Sequence, residues 1–328
     1  MIVDSHAHLA PPDLLAAIRK DKGRFPSLRV IEDGGSLAFA FAGAKPTRPV
    51  SKPLSELTAR IAWMDQQGID RQVVGGWVDM FGYELPAAEG EAWSRLINDA
   101  LLAAAKAAPR FVPLATVPLQ DGSRAAAVLE AVMDAGFPGA MIGTLPRGVG
   151  SVLDDADLDP FWAAADARGA VVHIHPSFDA GDTRVNDYGL ANAVGRISDA
   201  MVAVGRLIGS GHVARYANAK FVVPMGAAGL PFLLGRLTKN HRITPSIGDP
   251  VDALARLYTD TILHDARVLQ FVVGMIGSER LMMGSDMPFP IGDGEPMRIV
   301  AAAGLDAEQA ASVNGGLAAK LFRLVPPI

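Results

Sequence analysis

Ala170-Val171-Val172-His173-Ile174-His175-Pro176 is the stretch on which the fold turns. Its short, β-branched apolar run suits a strand buried on both faces, and Pro176, with no N–H to give to a ladder, ends it. Before it, Asp159–Ala167 carries apolar residues at helical spacing, and after it Leu190–Ile208 does so again. A buried strand set between two amphipathic helices is the repeating unit of a parallel sheet. Working outward, the alternation recurs almost from end to end. Further strand candidates are Ile2–Asp4, Gln72–Trp77, Val112–Val117, Ala140–Thr144, Lys220–Pro224, Leu257–Leu263 and Arg280–Met283, with Glu91–Ala107 and Ser123–Asp134 among the helices between them. Eight such units predict an α/β fold, a (β/α)8 barrel that takes residues 1–328 as a single domain.

One segment breaks the rhythm. Residues 11–54 hold two possible hairpin strands, Arg29–Glu32 and Leu37–Phe41, followed by Lys45-Pro46-Thr47-Arg48-Pro49, which cannot be helical. This reads as an insertion after the first strand. Loops that follow strands lie on the ligand-binding face of such a barrel, so the segment is expected to cap its mouth; the alternative is a surface hairpin without a role.

Composition narrows the function. The 328 residues contain 30 Lys+Arg against 35 Asp+Glu, a net charge of −5, with no basic tract to hold nucleic-acid phosphates. There is no cysteine, which removes disulfides, thiolate metal sites and cysteine nucleophiles together. Met1–His8 has neither a basic nor a long apolar region, and the apolar Phe221–Gly235 stretch is too short and too rich in Gly and Pro to span a bilayer. The expectation is a cytoplasmic protein that acts on a small molecule.

Chemistry concentrates at three strand ends. In Asp4-Ser5-His6-Ala7-His8 the histidines are two apart, so on extended backbone they share a face and can converge on one ion. His173 and His175 share a face likewise; His175, nearer the carboxyl end, is the better ligand, and His173 reads as a hydrogen-bonded core histidine. Gly284-Ser285-Asp286-Met287-Pro288-Phe289-Pro290 follows the eighth strand. Asp286 there is either a turn cap or the carboxylate that completes a His6/His8/His175/Asp286 set. Three imidazoles and a carboxylate suit one divalent first-row metal, zinc before manganese, and not magnesium or calcium. His212 and His241, among charged neighbours, read as surface residues.

Together these segments resemble the amidohydrolase superfamily, and within it the branch of 2-amino-3-carboxymuconate-semialdehyde decarboxylase and related aromatic-acid decarboxylases. The likeness runs over nearly the whole chain and includes Thr47-Arg48-Pro49-Val50, Met80-Phe81-Gly82-Tyr83, Val117-Pro118-Leu119-Gln120-Asp121 and Gly235-Arg236. The resemblance implies a TIM barrel, metal ligands at His6, His8, His175 and Asp286, and substrate-carboxylate binding by Arg48 and Arg236. It also implies a homodimer in which the second arginine serves the partner's site.

The chain departs from that pattern at Pro224-Met225-Gly226-Ala227-Ala228, where the family carries a His-Gly-Gly-Gly motif. Met225 stands in the histidine's place, among the substrate-binding positions, and a thioether exchanges no proton. His264, with Asp286, is then the expected catalytic group, although His264 can equally be bonded to a neighbouring loop. Ser177 replaces a tryptophan common in the semialdehyde decarboxylase, which points to a different substrate. The expected activity is metal-dependent decarboxylation of an aromatic or ring-cleavage carboxylic acid. The alternatives are metal-dependent hydrolysis of a C–C or C–N bond in a related carboxylate, and a non-catalytic binding barrel.

Overall fold

The apolar runs pair edge to edge in a computed structural model, which describes residues 1–324. Strand β1 (Val3–Leu9) is followed by the hairpin strands β2 (Leu28–Asp33) and β3 (Ser36–Phe41), and then by β4 (Arg71–Gly76), β5 (Phe111–Pro113), β6 (Gly139–Gly143), β7 (Val171–His175), β8 (Lys220–Val222), β9 (Thr259–Asp260) and β10 (Leu281–Met282). Leaving aside the hairpin, every pairing is parallel: β1 with β4 with β5, β6 with β7 with β8, and β9 with β10. Parallel bridges close the gaps at Ala115–Ala140, Val222–Tyr258 and Ala7–Met287. The circuit returns to β1, so the sheet is a closed barrel of eight strands, as the alternation predicts.

Helices follow the barrel strands in turn: Leu57–Gln67, Ala87–Ala107, Gly122–Asp134, Asp159–Arg168, Arg196–Gly209, Leu230–Ile243, Ala266–Ile276 and Pro296–Ala302. Local chemistry sets several of their starts. The Asp121 carboxylate accepts from the Arg124 amide and Asp265 from the Arg267 amide, each satisfying an orphan donor of the first turn. Side chains between helices and strands form one continuous core that includes Trp93, Phe161, Trp162 and Phe221.

Several boundaries and two histidines differ from expectation, among them β5, which stops at Pro113 rather than Val117. β1 runs to Leu9 rather than ending at Asp4, because its amides and carbonyls remain engaged on both sides: Trp77 donates to Leu9, and His8 donates to Met287. The ligand histidines therefore lie on the strand, not after it. β9 is shorter than Leu257–Leu263, since Leu263 turns back to donate to Thr261, and β8 stops at Val222, two residues before Pro224. His212 is buried rather than exposed, with Nδ1 2.8 Å from Ser210 Oγ and its ring against Trp162 and Tyr216. His241 is half-buried, Nδ1 lying 2.9 Å from the Ile247 carbonyl.

Between β1 and the helix Leu57–Gln67 lie a helix (Pro12–Lys20) and the antiparallel β2–β3 hairpin, in register from Leu28–Phe41 to Asp33–Ser36. Gly34 and Gly35, at φ 55° and 82°, supply the left-handed pair that a two-residue hairpin turn requires. The hairpin is not loose. Phe25, Phe39 and Phe41 surround Trp93 of the helix Ala87–Ala107 with ring centroids 5.4–5.7 Å away. Thr47 and Val50 then donate to Phe39 and Leu37, so the non-helical stretch lies along β3.

Candidate metal centre

The site grows from β1. Asp4, buried at its start, accepts from the amides of His6 and Ser285, from Ser285 Oγ and from Gln72 Nε2. Gln72 Oε1 in turn accepts from Arg60, whose other nitrogen donates to the His8 carbonyl. This buried chain ties β1 to β4 and to the segment after β10, fixing the backbone from which three of the four candidate ligands project. Burial raises the Asp4 carboxyl against the lowering effect of its donors, and burial pulls the Arg60 guanidinium down to about 10.

His6 and His8, on one face of β1, bring their Nε2 atoms to 3.2 Å. His175, at the end of β7, stands edge-on to both rings, with centroids 5.2 and 4.7 Å away. Asp286 Oδ1 lies 3.1 Å from His8 Nε2 and 3.7 Å from His6 Nε2. All four residues are buried and offer ligand atoms within 4.8 Å of one another. Gly284 allows this approach: a Cβ there would meet Asp260 Cβ at 3.0 Å and His6 Cβ at 3.2 Å.

The outer nitrogens decide what the inner ones can do. His6 Nδ1 lies 2.7 Å from Asp260 Oδ2, His175 Nδ1 2.9 Å from the Pro176 carbonyl, and His8 Nδ1 3.5 Å from the Gly76 carbonyl. Carbonyls and carboxylates only accept, so each Nδ1 carries the proton and each Nε2 presents a lone pair inward. Asp286 Oδ1 is buried and accepts no aligned hydrogen bond. Four acceptors therefore face one point with no donor among them. That arrangement fits a single divalent cation, with nitrogen and oxygen donors of the kind first-row metals take.

The electrostatics agree for His8 and His175. Burial depresses His8 and His175, keeping them neutral and able to ligate. Burial also acts to lower His6, but the Asp260 carboxylate, with Asp286 and Asp4, carries it above its ordinary value. The Asp286 carboxyl, which burial alone would raise, is held below the usual range by His8, His6 and Arg196. The centre favours positive charge.

Not every sequence-predicted residue joins it. Met225 and His264 line a cavity of about 380 Å³ with His6, His175, Asp286 and Arg196. His264 is exposed at its rim, with φ 58°. Arg48 Nε and Nη2 donate to the Asp79 carboxylate at 3.0 and 3.2 Å, and Arg48 does not line this cavity. Arg236 is exposed on the helix Leu230–Ile243, away from the cavity of its own chain. His173 is buried, but neither ring nitrogen is hydrogen-bonded, against the expectation of a bonded core histidine. Its ring packs 4.5 Å from that of His6, and burial, with His6 and His8, keeps it neutral. Asp260 was not singled out by the sequence reading; a lone Asp in an apolar run carries no signal until His6 is placed beside it.

Met225 opens an unusual turn. Met225, Gly226, Ala227, Ala228 and Gly229 all have positive φ, from 50° to 72°. The Met225 amide donates to Asp260 Oδ1 at 2.8 Å and the Ala227 amide to Thr259 Oγ1 at 2.6 Å. Asp260 thus holds both His6 and the turn that places Met225.

Comparison with known proteins agrees with this geometry. The amidohydrolase family model matches residues 3–324. A 2-amino-3-carboxymuconate-6-semialdehyde decarboxylase of Dictyostelium discoideum is 27% identical over 249 residues, 74% of this chain and 69% of that one. A gamma-resorcylate decarboxylase of a Polaromonas species is 26% identical over 251 residues, 70% and 76% of the two chains. Among solved structures, 5-carboxyvanillate decarboxylase from Sphingomonas paucimobilis superposes with a TM-score of 0.79 at 24% identity, covering 99% of both chains. A dihydroxybenzoic acid decarboxylase from Polaromonas, holding manganese and 2-nitroresorcinol, gives 0.77 at 21% identity over 98% and 97%. With the family's model spanning all but the two ends, and the His6/His8/His175/Asp286 cluster at the mouth of a closed (β/α)8 barrel, this chain belongs to the amidohydrolase family.

Proposed function

We propose that the protein is a metal-dependent decarboxylase of an aromatic or ring-cleavage carboxylic acid. The observation that carries this reading is the inward-facing set of three Nε2 lone pairs and one carboxylate beside an apolar cavity. His6, His8, His175 and Asp286 hold the ion. The donor set favours zinc, with manganese, present in the dihydroxybenzoic acid decarboxylase neighbour, as the alternative. A bound divalent ion supplies Lewis-acid polarisation of a substrate oxygen.

The chain's own residues do the rest. Ile197, Leu263, Val268 and Ile291 line the cavity and exclude water from a ring. His264, at the rim, exchanges the proton that replaces the departing carboxylate, with Asp286 oriented beside the same space. Met225 contributes an apolar contact, since it holds no transferable proton.

Residues 11–54 cap the mouth in this reading. Phe41, Thr47, Asp79, Tyr83 and Phe178 line a cavity of about 240 Å³ where the hairpin meets the loops after β4 and β7. The active form is a homodimer in the cytoplasm. Phe232 is 80% exposed, Val268 and Phe271 lie nearby on the neighbouring helix, and Arg236 is exposed on the same helix as Phe232. A second copy covers that apolar face and receives Arg236 at its substrate site.

The test is to load the purified chain with zinc or manganese and follow carbon dioxide release from hydroxybenzoates, carboxyvanillate and the aminocarboxymuconate semialdehyde. Release that disappears in His175→Ala supports the reading. Incorporation of solvent oxygen into product without carbon dioxide would replace it with hydrolysis, and inertness toward every acid would favour a binding barrel.

A further inference from the structure

The cavity beside the ligand cluster contains a cation that neither the motifs nor the ligand set calls for. Arg196 begins the helix Arg196–Gly209, directly after the π-type turn Ala191–Gly195 that winds the chain into that helix. It lines the same cavity as His6, His175 and Asp286. Its Nε is buried without a hydrogen-bond partner, and among the described residues it makes no ion pair. The carboxylates that could neutralise it are otherwise engaged. Asp79 is bonded by both Arg48 nitrogens, Asp199 accepts from Thr144 Oγ1 and the Ser177 amide, and Asp286 belongs to the cluster. What holds Arg196 in place is packing, its guanidinium carbon 5.0 Å from the centroid of the Phe178 ring. The Arg48 guanidinium lies 4.1 Å from the same ring.

A buried guanidinium nitrogen without a partner is costly unless something meets it. Its fork matches a carboxylate in shape and charge. Arg48 gives Nε and Nη2 to Asp79 and does not line the cavity, so the guanidinium beside the ligand cluster that lacks an ion-pair partner is that of Arg196. We propose that Arg196 is the residue that receives the substrate's carboxylate in this chain, making it a binding and specificity-determining residue for aromatic monocarboxylic acids. This rests on the reading of the site as a pocket for such acids, and it adds the group that selects them.

The test compares ligands that differ only in the charged group. The manganese-loaded wild type, Arg196→Met and Arg196→Lys are titrated calorimetrically with 2,6-dihydroxybenzoate and with resorcinol, which lacks the carboxylate. A charge-assisted hydrogen bond of about 1.5–3 kcal/mol corresponds to roughly 10- to 150-fold in affinity. Arg196→Met is expected to weaken dihydroxybenzoate by that factor and resorcinol by less than threefold, with Arg196→Lys between wild type and Arg196→Met for the carboxylate alone. Metal content and melting temperature are measured alongside. Should Arg196→Met not fold, Arg196→Lys carries the comparison, because it keeps the charge and loses the fork. Equal losses for both ligands, no loss for the carboxylate, or failure of the wild type to bind dihydroxybenzoate better than resorcinol would overturn the assignment. Carbon dioxide release is measured in parallel on the same samples, and affinities are taken from titrations in which none is released, so the two readings fail separately. Carboxylate-selective binding without carbon dioxide release removes the decarboxylase and keeps Arg196; release with an unchanged KM in Arg196→Met does the reverse.

Discussion

At the scale of single residues, the centre depends on groups one bond removed from the ligands as much as on the ligands. Asp260 fixes the His6 tautomer and bears the Met225 amide. Asp260→Asn is therefore expected to lower metal affinity by about 10- to 100-fold, measured by competition with a coloured chelator; unchanged affinity would mean that the His6 ring is held by packing alone. Met225 faces the cavity from the turn that Asp260 holds. Met225→His is expected to raise activity on the aminocarboxymuconate semialdehyde, by up to about 10²-fold if the new imidazole takes over proton transfer. Vigorous wild-type turnover of that semialdehyde, indifferent to His264→Ala, would show that no such group is needed. His6, His8, His175 and Asp286 were legible because each lies at or just past the carboxyl end of a strand that the sequence predicts. Arg196 and Asp260 were not, since their meaning lies in residues distant in sequence: Arg196 shares a cavity wall with Asp286, and Asp260 lies against His6.

At the scale of elements, the turn Met225–Gly229 is a left-handed coil in a chain of L-residues. Three of its five residues are not glycine, at roughly 1–2 kcal/mol of steric cost each. Ala227→Gly is thus expected to leave stability unchanged or raise it by up to about 1 kcal/mol, lost packing of the buried Cβ offsetting relieved strain. Ala103→Gly, within the regular helix Ala87–Ala107, is expected to cost about 0.5–1 kcal/mol. Urea unfolding of the pair checks the contrast, and equal losses would mean that the turn is not strained. The strands themselves were readable from their apolar runs, and the Arg29–Glu32 and Leu37–Phe41 hairpin was found to within two residues. Boundaries such as the end of β1 were not, because polar Asp4, Ser5, His6 and His8 stay extended only through ladder bonds to β4 and to the segment after β10.

At the scale of the whole molecule, two predictions concern what the barrel binds. Removing metal with a chelator is expected to lower the melting temperature, since an ion held at 100 times its Kd contributes about 2.7 kcal/mol to the folded state. Scanning calorimetry with and without added metal reads this, and coincident transitions would argue against a site formed in the native fold. The second concerns the face carrying Phe232. Phe232→Glu is expected to yield monomers in sedimentation and to depress kcat/KM while metal content stays unchanged, because Arg236 no longer reaches a neighbouring site. A wild-type chain that sediments as a monomer at working concentrations would refute the dimer.

The ligands are drawn from residues 6, 8, 175 and 286, and Asp4 near the start of the chain receives the Ser285 hydroxyl near its end. During synthesis the two histidines of β1 are made before His175, and all three before the carboxylate that completes their site. Until Asp286 is made, the nascent chain offers imidazoles alone, without the carboxylate that completes the donor set. Full coordination therefore waits for Asp286, so the segment after β10 that closes the barrel against β1 is also the one that completes the donor set begun there.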